Sequence, residues 1–426
     1  MTDFEATRDF ARSLDEQDPL AGFRAQFNIP EDRDGRRNIY VCGNSLGLQP
    51  RIAVDYVNEV MADWSRLGVE GHVRAKRPWL NYHRHATAGF AELAGAKAQE
   101  VVAMNTLTVN LHVLMASFYR PDDKRHKIVV ESTAFPSDYF AVTSQLEMHG
   151  YDPADALIEW APRDDERLYN EDLQQILDRH GDEIALLLLP GVQYYTGQVL
   201  DMEALCRMAH DAGCKIGLDL AHAIGNVPLE LNQWGPDFAA WCTYKYLNAG
   251  PGAVGGAFVH SRHLDGDDSR YLAGWWGHDE ATRFKMAHRF EPAAGVERWQ
   301  LSNPPILAIA PIVASLSIFQ AAGMDALRKK SLSQTAFLKF LLEKEFAGNI
   351  DTITPLDARG CQLSLVITDD ALNARGVFEA LEKLNVIGDW REPNVIRVAP
   401  VPLYNSFEDV YELSERLRLA VESGAA

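Results

Sequence analysis

Apolar residues recur at helical spacing over 51–66 (Ile52, Val54, Val57, Val60, Met61, Trp64), which predicts an amphipathic helix. A second helix is expected through the Ala-rich segment to Leu93. Beyond it, short apolar runs alternate with longer helical ones. Strands are read at 101–103, 127–131, 156–160, 184–189 and 215–218, with helices from Thr106 or Thr108, up to about His149, over 170–180 and over 202–212. Such alternation implies a mostly parallel sheet with helices on both faces. After 304 the pattern changes to one long helix over 306–344, a strand at 362–367, a helix over 372–384, a strand at 395–398 and a last helix from Phe407. The expected organisation of the 426 residues is an N-terminal arm with helices that join the small domain (1–95), a large domain (96–303) and a small α/β domain (304–426).

Composition narrows the partners. A hydrophobic fraction of 47% and a charged fraction of 24% are ordinary for a soluble protein. The net charge of −19 argues against nucleic acid and anionic membranes, which repel such a surface, and leaves open a small substrate in a locally basic site. Five cysteines without a C-x-x-C pair fit a reducing compartment and no structural zinc. The start M-T-D-F-E-A lacks the basic-then-apolar signature of a secretory signal, and the run 184–190 is far shorter than the roughly 20 residues of a membrane helix. A cytoplasmic protein is expected.

The clearest chemistry lies between Asp219 and Gly256. Asp219 closes an apolar strand, and Lys245 follows an aromatic-rich strand 26 residues later, within T-Y-K-Y-L-N-A-G-P-G. An acid at the carboxyl end of a parallel strand faces the crevice where α/β sheets bind ligands. A carboxylate that keeps a pyridine nitrogen protonated and a lysine that carries the cofactor covalently are the two requirements of pyridoxal phosphate chemistry. An aspartate there is also a common helix cap, and a lone lysine is commonly a surface charge. D-x-x-H, from Asp219 to His222, could be half a metal site, but no third ligand follows at a recognisable spacing, so no metal is expected. Thr106 and Thr108 open an apolar helix whose N-terminus suits a phosphate, although threonine caps helices without any ligand. Arg397, between apolar neighbours in a strand, needs an anionic partner, which could be a ligand carboxylate or a salt bridge.

D-L-A-H-A-I-G-N, T-Y-K-Y-L-N-A-G-P-G, A-F-P-S-D, S-N-P-P-I-L and R-V-A-P-V-P-L-Y-N-S-F occur in an order that resembles the kynureninases, members of the aminotransferase-like (fold type I) pyridoxal phosphate enzymes. The resemblance runs from about Tyr40 to the C-terminus. It implies an α/β fold with a large cofactor domain and a small domain. It also implies that Leu107, Thr108, Phe135, Pro136, Ser137, Asp138, Asp219, His222, Tyr244 and Lys245 contact pyridoxal 5'-phosphate. Ser45 and His72 would meet the aromatic end of the substrate, and Arg397 its α-carboxylate. Trp275 and Asn303 would approach the cofactor of a neighbouring subunit, so that a homodimer shares its sites. One position departs from the pattern: Pro190 stands where relatives can have a hydroxyl residue, and it is left out of the expected site.

The implied reaction is hydrolysis of the Cβ–Cγ bond of L-kynurenine or its 3-hydroxy derivative, giving an anthranilate and L-alanine, within tryptophan catabolism or the supply of NAD precursors. Lys245 would take the Cα proton, Asp219 would hold the ring protonated, and Tyr244 would relay a proton. The polar groups of His72 and Asn303 favour the 3-hydroxy substrate, since a buried polar site rejects an analogue that leaves its groups unpaired. Two other readings stay open: a cysteine desulfurase-like lyase, which needs a mobile reactive cysteine, and a non-catalytic pyridoxal phosphate-binding protein.

Overall fold

The computed structural model describes residues 4–265, 270–369 and 372–424. Its centre is a seven-stranded sheet in the order Val101–Ala103, Gly256–Val259, Phe238–Trp241, Lys215–Asp219, Ile184–Pro190, Lys127–Glu131, Leu157–Trp160. Gly256–Val259 runs antiparallel to both neighbours, and every other pairing is parallel. The sheet is buried on both faces because its strands are continuous apolar runs. Val129, Leu187, Leu189, Ile216 and Leu218 enter one apolar cluster, whereas Ile128, Val130, Leu186 and Leu188 enter the other. Helices Leu107–Phe118 and Pro136–Met148 cover the second face.

The first face is covered by helix Met202–Asp211 and by a layer in which Ile306–Ala322 packs against Ala53–Leu67 and Thr87–Ala94. The helix read over 306–344 is two helices, Ile306–Ala322 and Met324–Glu345, bent by 79°. Gly323 makes the corner at φ 75° and ψ 134°, a conformation that side-chain-bearing residues avoid. The apolar stripe of Ala53–Leu67 also differs from expectation. Val60 is buried, but Ile52, Val54, Met61 and Trp64 are exposed. Among the described residues no single helix is long and apolar enough to cross a membrane.

A third apolar cluster joins the arm to the C-terminal part. Helix Arg8–Glu16 packs on Phe407–Gly424, and Ile39–Tyr40 pairs in parallel with Val386–Ile387. A four-stranded antiparallel sheet, Asp389–Arg391, Val395–Val398, Leu363–Ile367 and Ile350–Thr352, carries Arg397 toward the large sheet.

Candidate active site

The carboxyl ends of the parallel strands open onto a cavity of about 400 Å³. Strand Lys215–Asp219 ends there with Asp219, which is 8% exposed and accepts a hydrogen bond from the Ala221 N–H at 2.6 Å. Lys245 comes from the turn after Phe238–Trp241. The Asn248 N–H donates to the Lys245 carbonyl at 3.0 Å, and the Gly47 N–H donates to that of Tyr244 at 2.8 Å. A Cβ at Gly47 would collide with the Lys245 carbonyl oxygen, so a glycine lets the 42–47 loop brace the turn. The Lys245 Nζ points across the cavity, 2.9 Å from His222 Nε2 and 5.9 Å from the centre of the Phe135 ring. Burial first, then the charges of Lys245, Arg397 and Arg391, hold the His222 imidazole well below its ordinary pKa, so it is neutral and Nε2 accepts from the lysine.

Leu107 and Thr108 line the cavity at the start of Leu107–Phe118, whose cap residue Thr106 makes no side-chain cap. The first amides of this helix are therefore available to an anion, with the positive end of the helix dipole behind them. Phe135, half-exposed, presents its ring to the cavity and meets Tyr194 edge-on at 5.2 Å. Ser137 and Asp138 lie inside the first turn of Pro136–Met148 and do not cap it; Phe135 is the cap residue. Burial and the neighbouring Asp219 raise the Asp138 carboxyl well above the ordinary carboxylate range. Tyr244 is shifted upward as well, by burial and then Cys242, so its phenol stays protonated.

Of the expected residues, Ser45, Leu107, Thr108, Phe135, Ser137, Asp138, Asp219, His222, Tyr244, Lys245 and Arg397 line this one cavity. Pro136 does not, being the exposed first residue of its helix. Trp275 and Asn303 are exposed and His72 is half-buried, edge-on to Trp79 at 5.4 Å; none of the three lines the cavity. His72 Nδ1 is 2.9 Å from the Val69 carbonyl, and the Trp275 indole donates to the Arg283 carbonyl at 3.3 Å. Arg397 is 1% exposed; it donates to the Tyr194 carbonyl at 2.6 Å and pairs with Asp389.

Several cavity residues fall outside the sequence reading: Asn44, Glu131, Val192, Tyr194, Ala221 and Arg391. Pro190, set aside on sequence, is also there, paired in register with Asp219. Glu131 ends K-I-V-V-E as Asp219 ends K-I-G-L-D, and that shared form was the available signal. Both side-chain polar atoms of Asn44 are buried without a hydrogen-bond partner, as are Glu131 Oε2 and His222 Nδ1. These orphaned groups, the uncapped helix end, the flat Phe135 ring, the strand-end acid and the lysine fit a phosphorylated pyridine aldehyde. The phosphate would lie at Leu107 and Thr108, and the ring would lie between Phe135 and Asp219.

Comparison with known proteins agrees. The class-V aminotransferase family model matches residues 40–355, and the kynureninase C-terminal domain model matches 327–417. The chain is 51% identical over 417 residues to a kynureninase of Myxococcus xanthus and 48% identical over 416 residues to one of Koribacter versatilis, with 97% of each chain covered in both cases. Among solved structures, a cysteine desulfurase of Thermococcus onnurineus aligns with a TM-score of 0.76 at 16% identity, over 91% of this chain and 95% of that one. A mutant of the cystine lyase C-DES, with glycine covalently linked to its pyridoxal phosphate cofactor, aligns at the same TM-score and 17% identity, over 93% and 98%. At such identities the structures speak for the fold, and the full-length sequence matches decide the family: the chain belongs to the kynureninases, on the fold of the class-V aminotransferases.

Proposed function

We propose that Lys245, Asp219 and Tyr244 carry the hydrolytic cleavage of the Cβ–Cγ bond of L-kynurenine and 3-hydroxy-L-kynurenine to an anthranilate and L-alanine. The activity is that of the family, a pyridoxal 5'-phosphate-dependent hydrolysis of a carbon–carbon bond beside a ketone. The observation that supports these residues most is convergence: Lys245, Asp219 and Arg397 come from three separate elements and line a single cavity.

When bound, pyridoxal phosphate supplies an electron sink conjugated to the substrate's α-carbon. Lys245 would hold the cofactor through Nζ, and the same nitrogen, once free, would take the Cα proton. The neutral His222 is placed 2.9 Å away to orient Nζ by accepting its hydrogen. Asp219, held by the Ala221 N–H, keeps the pyridine nitrogen protonated. Burial and Asp219 raise the pKa of the Asp138 carboxyl beside it, which disfavours a second negative charge there. Tyr244, its phenol intact, would supply the proton that Cβ takes as the Cβ–Cγ bond breaks, after water has added to the γ-carbonyl, whose carbon leaves as the carboxyl group of the anthranilate. Arg397 fixes the α-carboxylate and so orients the Cα–H bond toward Nζ.

The positions of His72, Trp275 and Asn303 outside the cavity of their own chain support a homodimer in which Trp275 and Asn303 of one subunit approach the other's cofactor and His72 meets the substrate's aromatic end. The polar groups of His72 and Asn303 favour the 3-hydroxy substrate. A cytoplasmic enzyme acting on a small amino acid is consistent with the acidic surface. The desulfurase-like reading loses support from the cysteines. All five are buried, and burial pushes the thiols of Cys42, Cys206 and Cys361 up to about 12, where no thiolate nucleophile forms.

The deciding experiment is product analysis with Lys245→Ala beside the wild type. Release of anthranilate or 3-hydroxyanthranilate should fall about 1,000-fold or more when Nζ is removed. Turnover of Lys245→Ala at the wild-type rate would falsify the scheme.

A further inference from the structure

Strand Asp389–Arg391 pairs antiparallel with Val395–Val398, and Asp389 stands directly opposite Arg397. Residues two apart in a strand share a face, and so do residues directly opposite. Asp389, Arg391 and Arg397 therefore project to one side, and Arg391 lines the same cavity as Arg397.

One carboxylate oxygen serves both cations. Asp389 Oδ2 accepts from Arg391 Nη2 at 3.1 Å and from Arg397 Nη2 in a closer contact. The Tyr194 ring lies 5.8 Å from the Arg391 guanidinium and 5.9 Å from that of Arg397, holding the two side by side. Two positive charges against one negative leave the group one charge short of neutral. The hydrogen bonds are incomplete in the same sense: Nε of Arg391 and Nε of Arg397 are both buried without an acceptor. A guanidinium offers five donors in a plane, so a two-oxygen monoanion would supply the missing charge and the missing acceptors together.

We infer that Arg391 is a second guanidinium of the substrate's α-carboxylate site, with Asp389 the positioning residue that keeps Arg391 and Arg397 parallel before substrate arrives. The inference rests on the reading of the cavity as an amino-acid site, and it deepens that reading by adding a residue to its anion end. The influence of both guanidiniums on His222 agrees with their facing the cofactor side of the cavity.

The test uses the pyridoxal phosphate-loaded enzyme and needs no turnover. L-Alanine and L-alaninamide differ only in the carboxylate, and binding of either is read from the change in cofactor absorbance. Arg391→Gln should weaken L-alanine binding about tenfold or more and change L-alaninamide binding by no more than about twofold, with the cofactor content unchanged. Arg391→Lys, which keeps the charge and loses the fork, should fall between Arg391→Gln and the wild type. Equal weakening of both ligands, or unchanged L-alanine binding, would overturn the assignment. Turnover of L-kynurenine by the wild type, measured in the same preparation, tests the function separately, so a failure of one is not mistaken for a failure of the other.

Discussion

Three carboxyl groups, Glu131, Asp138 and Asp219, meet at the floor of the cavity, and burial does not permit all three to be charged together. Burial, with Asp219 second, pushes Glu131 up to about 8 from an ordinary 4.5. The folded chain thus keeps a proton at Glu131 that the unfolded chain releases. The favourable contribution is fully present below pH 4.5 and is lost as the pH rises toward 8, because over that window the native state binds more protons. Glu131→Gln, always neutral, removes this dependence. In urea unfolding of the apoprotein the variant should gain on the wild type from pH 5 to pH 8, by roughly 4 kcal/mol at most. Parallel stability curves for the two proteins would rule the account out. The same comparison explains what a sequence reader can find. Asp219 and Lys245 are legible because the chemistry requires a strand-end acid and a lysine after the next strand. Glu131 has the first signature without the second. Arg391 is hidden because its face is set by register with Val395–Val398, and Tyr194 because it receives Arg397 through a backbone carbonyl that any residue would offer.

The strands of the large sheet are legible for a similar physical reason: each is an uninterrupted apolar run, and runs of that length between helical patterns have little else to become. Periodicity does not announce a bend. Residues 306–344 keep an apolar pattern through Ala321, Ala322 and Gly323, so a single helix satisfies it, and the corner rests on one glycine. Its backbone conformation is one that other residues reach at a cost of about 1–3 kcal/mol. An added Cβ would meet nothing within 4 Å, so that cost is conformational and not steric. Gly323→Ala should therefore lower the unfolding free energy by about 1–3 kcal/mol while turnover at saturating substrate stays at the wild-type value. A variant as stable as the wild type would mean that the corner is set by the packing of Ile306–Ala322 on Ala53–Leu67 and would be the same with any residue at 323.

An isolated chain with a complete cavity has no reason to leave its apolar helix face in water. Trp64 is 57% exposed and Val69 80%, and Ile52, Val54, Met61, Val73 and Leu307 are exposed as well. In the proposed homodimer the partner chain would cover such a surface; His72 lies on the same stretch, while Trp275 and Asn303 lie outside the cavity of their own chain. Whether those residues act in their own subunit or across a dimer can be decided by mixing two inactive proteins. Lys245→Ala lacks the base but keeps Trp275 and Asn303, whereas the double variant Trp275→Ala/Asn303→Ala keeps the base. Unfolded together and refolded in equal amounts, about half of the dimers are mixed. If the site is shared, each mixed dimer has one complete site, built from Lys245 of one chain and the two surface residues of the other, and activity returns to about a quarter of the wild type. If Trp275 and Asn303 serve their own chain, both sites of a mixed dimer lack something and no activity returns, because no arrangement then places all three intact side chains around one substrate.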